Sequence, residues 1–237
     1  PDPAVAGDLT SDYTFKRDGK IVMDDADLYG VELALQLRDD AGSGEVTVIS
    51  MSPGQETVGV KNALAMGADK AIVVSDEGLK GAHSLATAKV LDAAIAKAGN
   101  VDLIIAGTES SDGYAGVMPA QLGTLRNVSV LSYATSVKVN GDEVVITRQT
   151  DSGSQTVSAK FPALISVTAG STEPRYPNFK GIMAAKTKQL DFFDLAGLGL
   201  NVGDLKIEEQ SVFEVDQAES RSAGEKIEDE DLGVAKI

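Results

Sequence analysis

Gly107-Thr-Glu-Ser-Ser-Asp-Gly-Tyr-Ala-Gly116 is the stretch of this sequence best suited to holding a ligand. Its small residues let another molecule approach the backbone, and N–H groups at the start of a following helix can receive a phosphate. The stretch follows the apolar run Val101-Asp-Leu-Ile-Ile-Ala106 and precedes a helical pattern holding Val117, Met118, Leu122 and Leu125. It matches neither the G-x-G-x-x-G fingerprint nor a Walker loop, and no Lys follows to hold a β- or γ-phosphate. A monophosphate therefore suits it better than a triphosphate; the alternative is an ordinary polar turn between a strand and a helix. Asp24, Asp25 and Asp27 crowd the start of the first helical pattern. Carboxylates there complement the helix dipole and cap its N–H groups, and hydrogen bonding to ribose hydroxyls is the functional alternative. Ser50-Met-Ser-Pro53 ends a strand pattern, either as a simple turn or as a wall for an adenine ring, with the soft side chain of Met51 against it.

A second unusual stretch is Glu173-Pro-Arg-Tyr-Pro-Asn-Phe-Lys-Gly-Ile-Met-Ala-Ala-Lys186. Two prolines and a helical tail describe a rigid loop that leads into a helix. Phe179, set between polar residues and Lys180, is a candidate exposed apolar anchor, although single exposed apolar residues are common.

Several chemistries are poorly supplied. A single histidine, His83, and no cysteine argue against a His-based metal site, a Ser-His-Asp triad and thiolate or disulfide chemistry. Lack of cysteine also fits a cytoplasmic protein. The net charge of −15 repels nucleic acid, whose binding requires Lys and Arg against phosphates. It describes either a solvated acidic surface or a field that steers a basic partner surface. From Leu200 onward eleven acids face four bases, with few large apolar residues among them.

The elements that must position these residues alternate through the first half. Glu45–Ser50, Lys70–Ser75 and Val101–Ala106 are near-continuous apolar runs, as expected of parallel strands covered on both faces. Helical patterns lie between them, with Leu28, Val31 and Leu35 on one face of the first. Val60, Ala63 and Leu64 mark the second, which Gly67 stops, and Leu91, Ala94, Ile95 and Ala98 mark the third. Such alternation predicts one open α/β sheet. Thr135–Val139, Glu143–Arg148 and Gln155–Phe161, joined at Asn140-Gly141 and Asp151–Gly153, predict a β-meander, and Pro162–Val167 a further strand. No apolar run approaches the ~20 residues of a membrane span. Beyond Leu200 the sequence cannot build its own core and reads as an extended arm that needs another surface.

Asn62-Ala-Leu-Ala-Met-Gly-Ala-Asp69, the Gly107–Gly116 loop, the Glu173–Lys186 stretch and Ser222-Ala-Gly-Glu-Lys226 occur in that order. Together they resemble the β subunit of electron-transfer flavoproteins, over almost the whole chain. The resemblance implies an open, mostly parallel, adenine-nucleotide-binding Rossmann-like sheet with helices on both faces across residues 1–199. It implies a meander at about 131–161, a recognition loop at about 167–189, and a C-terminal arm, 200–237, packed on a partner subunit. It further implies an AMP, or in some relatives a second FAD, in a pocket matching Asp24, Asp25, Ala26, Asp27, Met51, Gly107, Thr108, Glu109, Ser110, Ser111, Asp112, Gly113, Tyr114 and Ala115.

The redox-active FAD is expected mainly in the α subunit of a heterodimer. Tyr176, Phe179, Lys180, Ile182 and Met183 then fall on the loop that docks flavin dehydrogenases, and a membrane is reached only indirectly, through a quinone reductase. No catalytic residue and no metal ligand are expected in this chain. Family members open with a strand ending in Val-Pro-Asp, so a central strand is expected ahead of Pro1-Asp2-Pro3. Gly113, Tyr114 and Ala115 stand where relatives carry Asn-Gln-Thr, so backbone donors are expected to outlast side-chain contacts there. The rivals are an adenine-nucleotide hydrolase or ligase, and a stress-type nucleotide-sensing homodimer, on a related α/β fold.

Overall fold

The computed structural model describes residues 9–11, 13, 14, 16 and 22–216. The expected strand ahead of Pro1-Asp2-Pro3 and the Ser222–Lys226 motif lie outside these residues.

Helix α1 (Asp25–Ala41) begins at Asp24, whose extended backbone lets its carboxylate accept the Ala26 N–H at 2.9 Å. It ends at Gly42, whose φ of 69° belongs to the left-handed region. The buried face of α1 runs through Gly30, Leu33 and Leu35, and it also takes in Glu32. Leu28 and Val31 of the expected stripe are only half-buried. Gly30 turns the helix this way: a Cβ there would lie 3.7 Å from Ile105 and 3.8 Å from Val167, so the helix rests closely on the sheet at its smallest residue.

Strands and helices then alternate as the apolar runs predict. They are β1 (Thr47–Met51), α2 (Val58–Met66), β2 (Lys70–Val74), α3 (Ser84–Ala98), β3 (Leu103–Gly107) and α4 (Met118–Leu125). Gly67 stops α2, and its N–H donates to the Ala63 carbonyl. The meander follows as β4 (Ser129–Asn140), β5 (Glu143–Thr150) and β6 (Gly153–Lys160), and the chain returns through β7 (Ala163–Val167). After it come α5 (Phe179–Ala185), β8 (Leu190–Phe193) and the short helices α6 (Leu195–Leu198) and α7 (Val202–Leu205).

The single open sheet predicted by this alternation is two sheets. One is parallel with order β1-β2-β8; the other has order β3-β7-β4-β5-β6, parallel as far as β4 and antiparallel beyond it. Side chains under α3, not a backbone ladder, join them. Ala88 and Ile95 share a core cluster with Leu122 and Leu164, against which Ile49 of β1 and Ile104 of β3 both pack. Accordingly β1 and β3 are half-buried along their length, while β7 is buried throughout and β2 nearly so.

β4 starts six residues before the predicted Thr135, because its first part pairs in parallel with β7 before an irregularity turns it onto β5. Tyr133 sits at that irregularity with φ 63°, and its N–H donates to the buried hydroxyl of Ser166 at 3.0 Å.

From Leu200 the chain stays on the domain for a few residues more than predicted. Leu205 is buried and Leu200 and Ile207 pack beside it, against Ile72, Leu79 and Val90. Residues 210–216 then run without regular structure, and Phe213 is 87% exposed. Among the described residues no helix is long and apolar enough to cross a membrane.

Candidate functional site

The start of α1 meets the end of β3. A Cβ on Gly107 would lie 3.1 Å from the Ala26 methyl and 3.3 Å from Asp27 Oδ1, so glycine permits this approach. Asp24 makes the second link: its Oδ2 accepts the Ser111 N–H at 3.3 Å. Thr108 fastens the loop from behind by donating its hydroxyl to the Val167 carbonyl at 2.9 Å. Thus Asp24, Ala26 and Asp27 share one corner with Gly107, Thr108 and Ser111. Asp25, one residue along, is exposed in the first turn. Met51 stands apart, packed against the cluster of Ile72, Leu79 and Val90.

Within the loop, Ser110 organises a turn. Its hydroxyl accepts the Asp112 N–H, and its carbonyl accepts those of Gly113 and Tyr114 at 3.3 and 2.9 Å. Tyr114 has φ 47° and is exposed, and Glu109, Asp112, Gly113 and Ala115 are exposed with it. The N–H groups of Ala115, Gly116 and Val117 find no partner among the described residues, and no side chain caps α4. These consecutive donors lie one step beyond those expected, and only Ala115 of the three is among the predicted site residues. Their signal in the sequence was Pro119 near the start of α4, a residue that marks a helix beginning.

The carboxylates of Asp24 and Asp27 make this corner a place for hydrogen-bond donors, and the Glu109 carboxylate lies close to Gly116, where a Cβ would be 3.4 Å from its Oε2. Asp27 keeps open surface, yet protein atoms crowd around its carboxyl. This partial burial, with the nearby charge of Asp24 second, pushes its pKa from 3.8 up to about 6. The Asp24 and Asp27 carboxyls can accept hydrogen bonds from hydroxyl groups, and the Ala115–Val117 N–H groups can donate to an acceptor. Side-chain space is open at Gly113, where a Cβ would meet nothing within 4 Å. Among the described residues, no group of three or more His, Asp or Glu side chains is placed to hold a metal ion.

The loop from 168 to 178 forms the second part of the site. Glu32, only 3% exposed, accepts three hydrogen bonds from Arg175: Nε at 2.7 Å, a terminal guanidinium nitrogen at 3.0 Å and the backbone N–H at 3.1 Å. Gln36 adds a fourth at 2.8 Å and also donates to Thr172. Burial alone would raise the Glu32 pKa; the bonds from Arg175 and Gln36 outweigh it and hold the carboxyl below its usual range. Neither residue was anticipated as part of a site. The signals were an acid on the apolar face of α1 and an arginine locked between Pro174 and Pro177.

This clamp presents Tyr176 and Phe179, which are 92% and 79% exposed, and Ile182 and Met183 are exposed beside them. Lys180 is exposed as well. Asn178 caps α5 by accepting the Gly181 N–H at 2.8 Å. Gly181 lies so near the Ala65 carbonyl of α2 that a Cβ could not be fitted. A groove of ≈ 360 Å³ runs between α2 and α5, lined by Ala65, Gly67, Tyr176, Lys180 and Ala184 among others. It is distinct from the Asp24 corner, and so is a depression of ≈ 260 Å³ bordered by Ser75 and Phe193.

Comparison with known proteins covers the stretch of chain that holds both parts. Residues 12–197 match the model of the electron transfer flavoprotein domain. The chain is 36% identical to the electron transfer flavoprotein subunit beta of Mycobacterium leprae, covering 95% of this chain and 88% of that one. It is 33% identical to the subunit of the same name from Bradyrhizobium diazoefficiens, covering 92% and 85%. At 29% identity, over 76% of this chain and 69% of the other, it is similar to subunit CarD of the caffeyl-CoA reductase-Etf complex of Acetobacterium woodii.

Proposed function

Since this chain belongs to the β subunits of the electron transfer flavoproteins, we propose that it holds AMP, pairs with a flavin-bearing α subunit and docks flavin dehydrogenases. Asp24 and Asp27 orient the ribose, and the N–H groups of Ala115, Gly116 and Val117 receive the phosphate. Tyr176, Phe179, Lys180, Ile182 and Met183 meet the dehydrogenase. FAD, carried mainly by the α subunit, supplies the redox chemistry. No side chain of this chain has to change protonation for electrons to pass, so its work is to bind and to position. A quinone-reducing acceptor downstream is the expected route to a membrane.

One observation carries this proposal. Helix α1 touches the loop at 107–111 with its first turn and clamps Arg175 with Glu32 further along. A single rigid element thereby supports a nucleotide corner and a docking face, which is the division of labour a carrier subunit needs. Acid release of bound nucleotide, followed by chromatography, is expected to give about one adenine nucleotide per chain. A natively folded heterodimer without nucleotide would refute AMP holding, and FAD in its place would mark the relatives that carry a second flavin.

Adenine-nucleotide hydrolysis remains a rival on one observation, the Asp27 carboxyl whose pKa near 6 suits proton transfer. Multiple-turnover cleavage of ATP by the isolated chain would favour it.

A further inference from the structure

His83 is the one histidine of the chain, and both of its ring nitrogens are engaged at a single junction. It stands just ahead of α3 in extended backbone, where Nδ1 accepts the Ala86 N–H at 3.2 Å and caps the helix. Nε2 lies 3.3 Å from the backbone carbonyl of Lys206, at the point where the C-terminal arm leaves α7. These partners fix the tautomer. A backbone N–H only donates and a carbonyl only accepts, so Nδ1 is bare and Nε2 carries the proton. The pair of bonds requires a neutral ring.

A second side chain of the helix ties the same segment. Lys89 donates to the Asp204 carbonyl at 2.8 Å, and Leu205, the next residue, is buried. Lys206 then takes φ 55°, a left-handed backbone uncommon for lysine, and leads into a single turn at Ile207–Glu209. Its Nζ pairs with Glu209 at 2.8 Å. That contact, followed by the charges of Lys206, His83 and Lys89, holds the Glu209 carboxyl below its usual range, so the four groups share one neighbourhood.

From this junction we propose that His83 is a proton-sensitive latch between α3 and the root of the C-terminal arm. Neutral, the ring bridges the helix cap and the Lys206 carbonyl. Once protonated, its Nδ1–H points at the Ala86 N–H and at the positive end of the α3 dipole. The cap is then lost, the ring turns out, and the turn at 207–209 loosens. Histidine is the side chain whose charge ordinarily changes in the physiological range. The charges around the ring pull both ways. Glu209 of the arm favours the imidazolium; Lys206 beside it, Lys89 of α3 and the helix start oppose it. Lys80, exposed on the turn before α3, adds to the opposing side. The cap decides, because Glu209 is exposed and already bonded to Lys206, and an exposed ion pair contributes little.

The latch itself needs neither nucleotide nor dehydrogenase. Its consequence rests on the subunit pairing proposed above: an arm with a loosened root grips the flavin-bearing subunit less firmly as pH falls.

The test is hydrogen exchange of the intact heterodimer at about pH 7.5 and about pH 5.5, with the intrinsic exchange rate divided out. In wild type, protection of the first turn of α3 and of 204–209 is expected to fall roughly fivefold in acid, the size of one lost helix cap. His83→Asn keeps a capping oxygen at every pH and does not titrate. Its α3 turn is expected to show no such fall, and its 204–209 amides to exchange fast at both pH values, since the shorter side chain gives up the carbonyl. Lys89→Met is expected to loosen 204–209 equally at both, which separates the proton from the general strength of the root. The amides of β7 serve as the reference for an intact fold. Equal protection of wild type at the two pH values would overturn the proposal, and tighter protection in acid would do so by assigning the ring to Glu209. Persistence of the wild-type fall in His83→Asn would also overturn it, by passing the proton to another group. Acid loosening of the root with an unchanged subunit dissociation constant would leave the latch standing and remove its consequence for pairing.

Discussion

Asp27 and Glu32 lie five residues apart on one helix and answer acid in opposite directions. Asp27 has a folded pKa of about 6 against 3.8 unfolded, so the folded state binds the extra proton. Its contribution to stability is full below pH 3.8 and is lost as pH rises to about 6. Asp27→Asn removes that loss, so the Tm of the variant relative to wild type is expected to climb through this range and level off above it. Glu32 has the depressed pKa, so its contribution is present above the ordinary value of 4.5 and fades in stronger acid. Glu32→Gln is expected to flatten the acid limb of the same Tm profile. Arg175→Ala is harsher, because it leaves a buried carboxylate without its main partner. The expected cost is roughly 3 kcal/mol by chemical denaturation. At this scale the sequence displayed Asp24 and Asp27 plainly, since acids at a helix start are a local pattern. Glu32 and Arg175 went unseen because their meeting spans most of the chain, and no short-range rule pairs an acid on an apolar stripe with a distant loop.

Where α2 and α5 cross, the closeness of two elements sets the docking loop. Gly181 backs directly onto a backbone carbonyl that cannot swing aside. Gly181→Ala is therefore expected to cost ~1–3 kcal/mol. It is also expected to weaken docking of the dehydrogenase in a KM measurement while leaving nucleotide content unchanged. Two cations hold the end of α2: Lys188, just after α5, on the Leu64 and Ala68 carbonyls, and Arg38 of α1 on that of Gly67 at 3.1 Å. They complement the negative end of the α2 dipole. Among elements, those governed by local signals were legible. Gly67 ends α2 and Asn140-Gly141 turns the meander, because left-handed or tight-turn backbone favours those residues. The division into two sheets was not legible. Strand pairing is chosen by tertiary contacts, and the apolar runs of β1 and β3 do not state which edge each will share. The early start of β4 was hidden for a similar reason, since its first residues belong to β7 and its later ones to β5.

For the molecule as a whole, the nucleotide and the partner subunit are expected to act as stabilising ligands. Any compound that binds only the native state adds RT ln(1 + [L]/Kd), or about 2.7 kcal/mol at a hundredfold excess over Kd. Stripping the nucleotide should lower the Tm of the heterodimer, and adding back AMP should restore it. Restoration by adenosine alone would show that the Ala115–Val117 donors do not hold a phosphate. The strip at 210–216 has a further consequence. Phe213, Val212 and Val215 project from backbone that no helix or strand protects, so a copy of the chain that has not met its mate offers an accessible, greasy cleavage point. Chymotrypsin is expected to cut the solitary chain after Phe213 within minutes and to spare the heterodimer. Orphaned copies would then be cleared first, and the steady-state ratio of the two subunits would be kept by turnover as well as by synthesis.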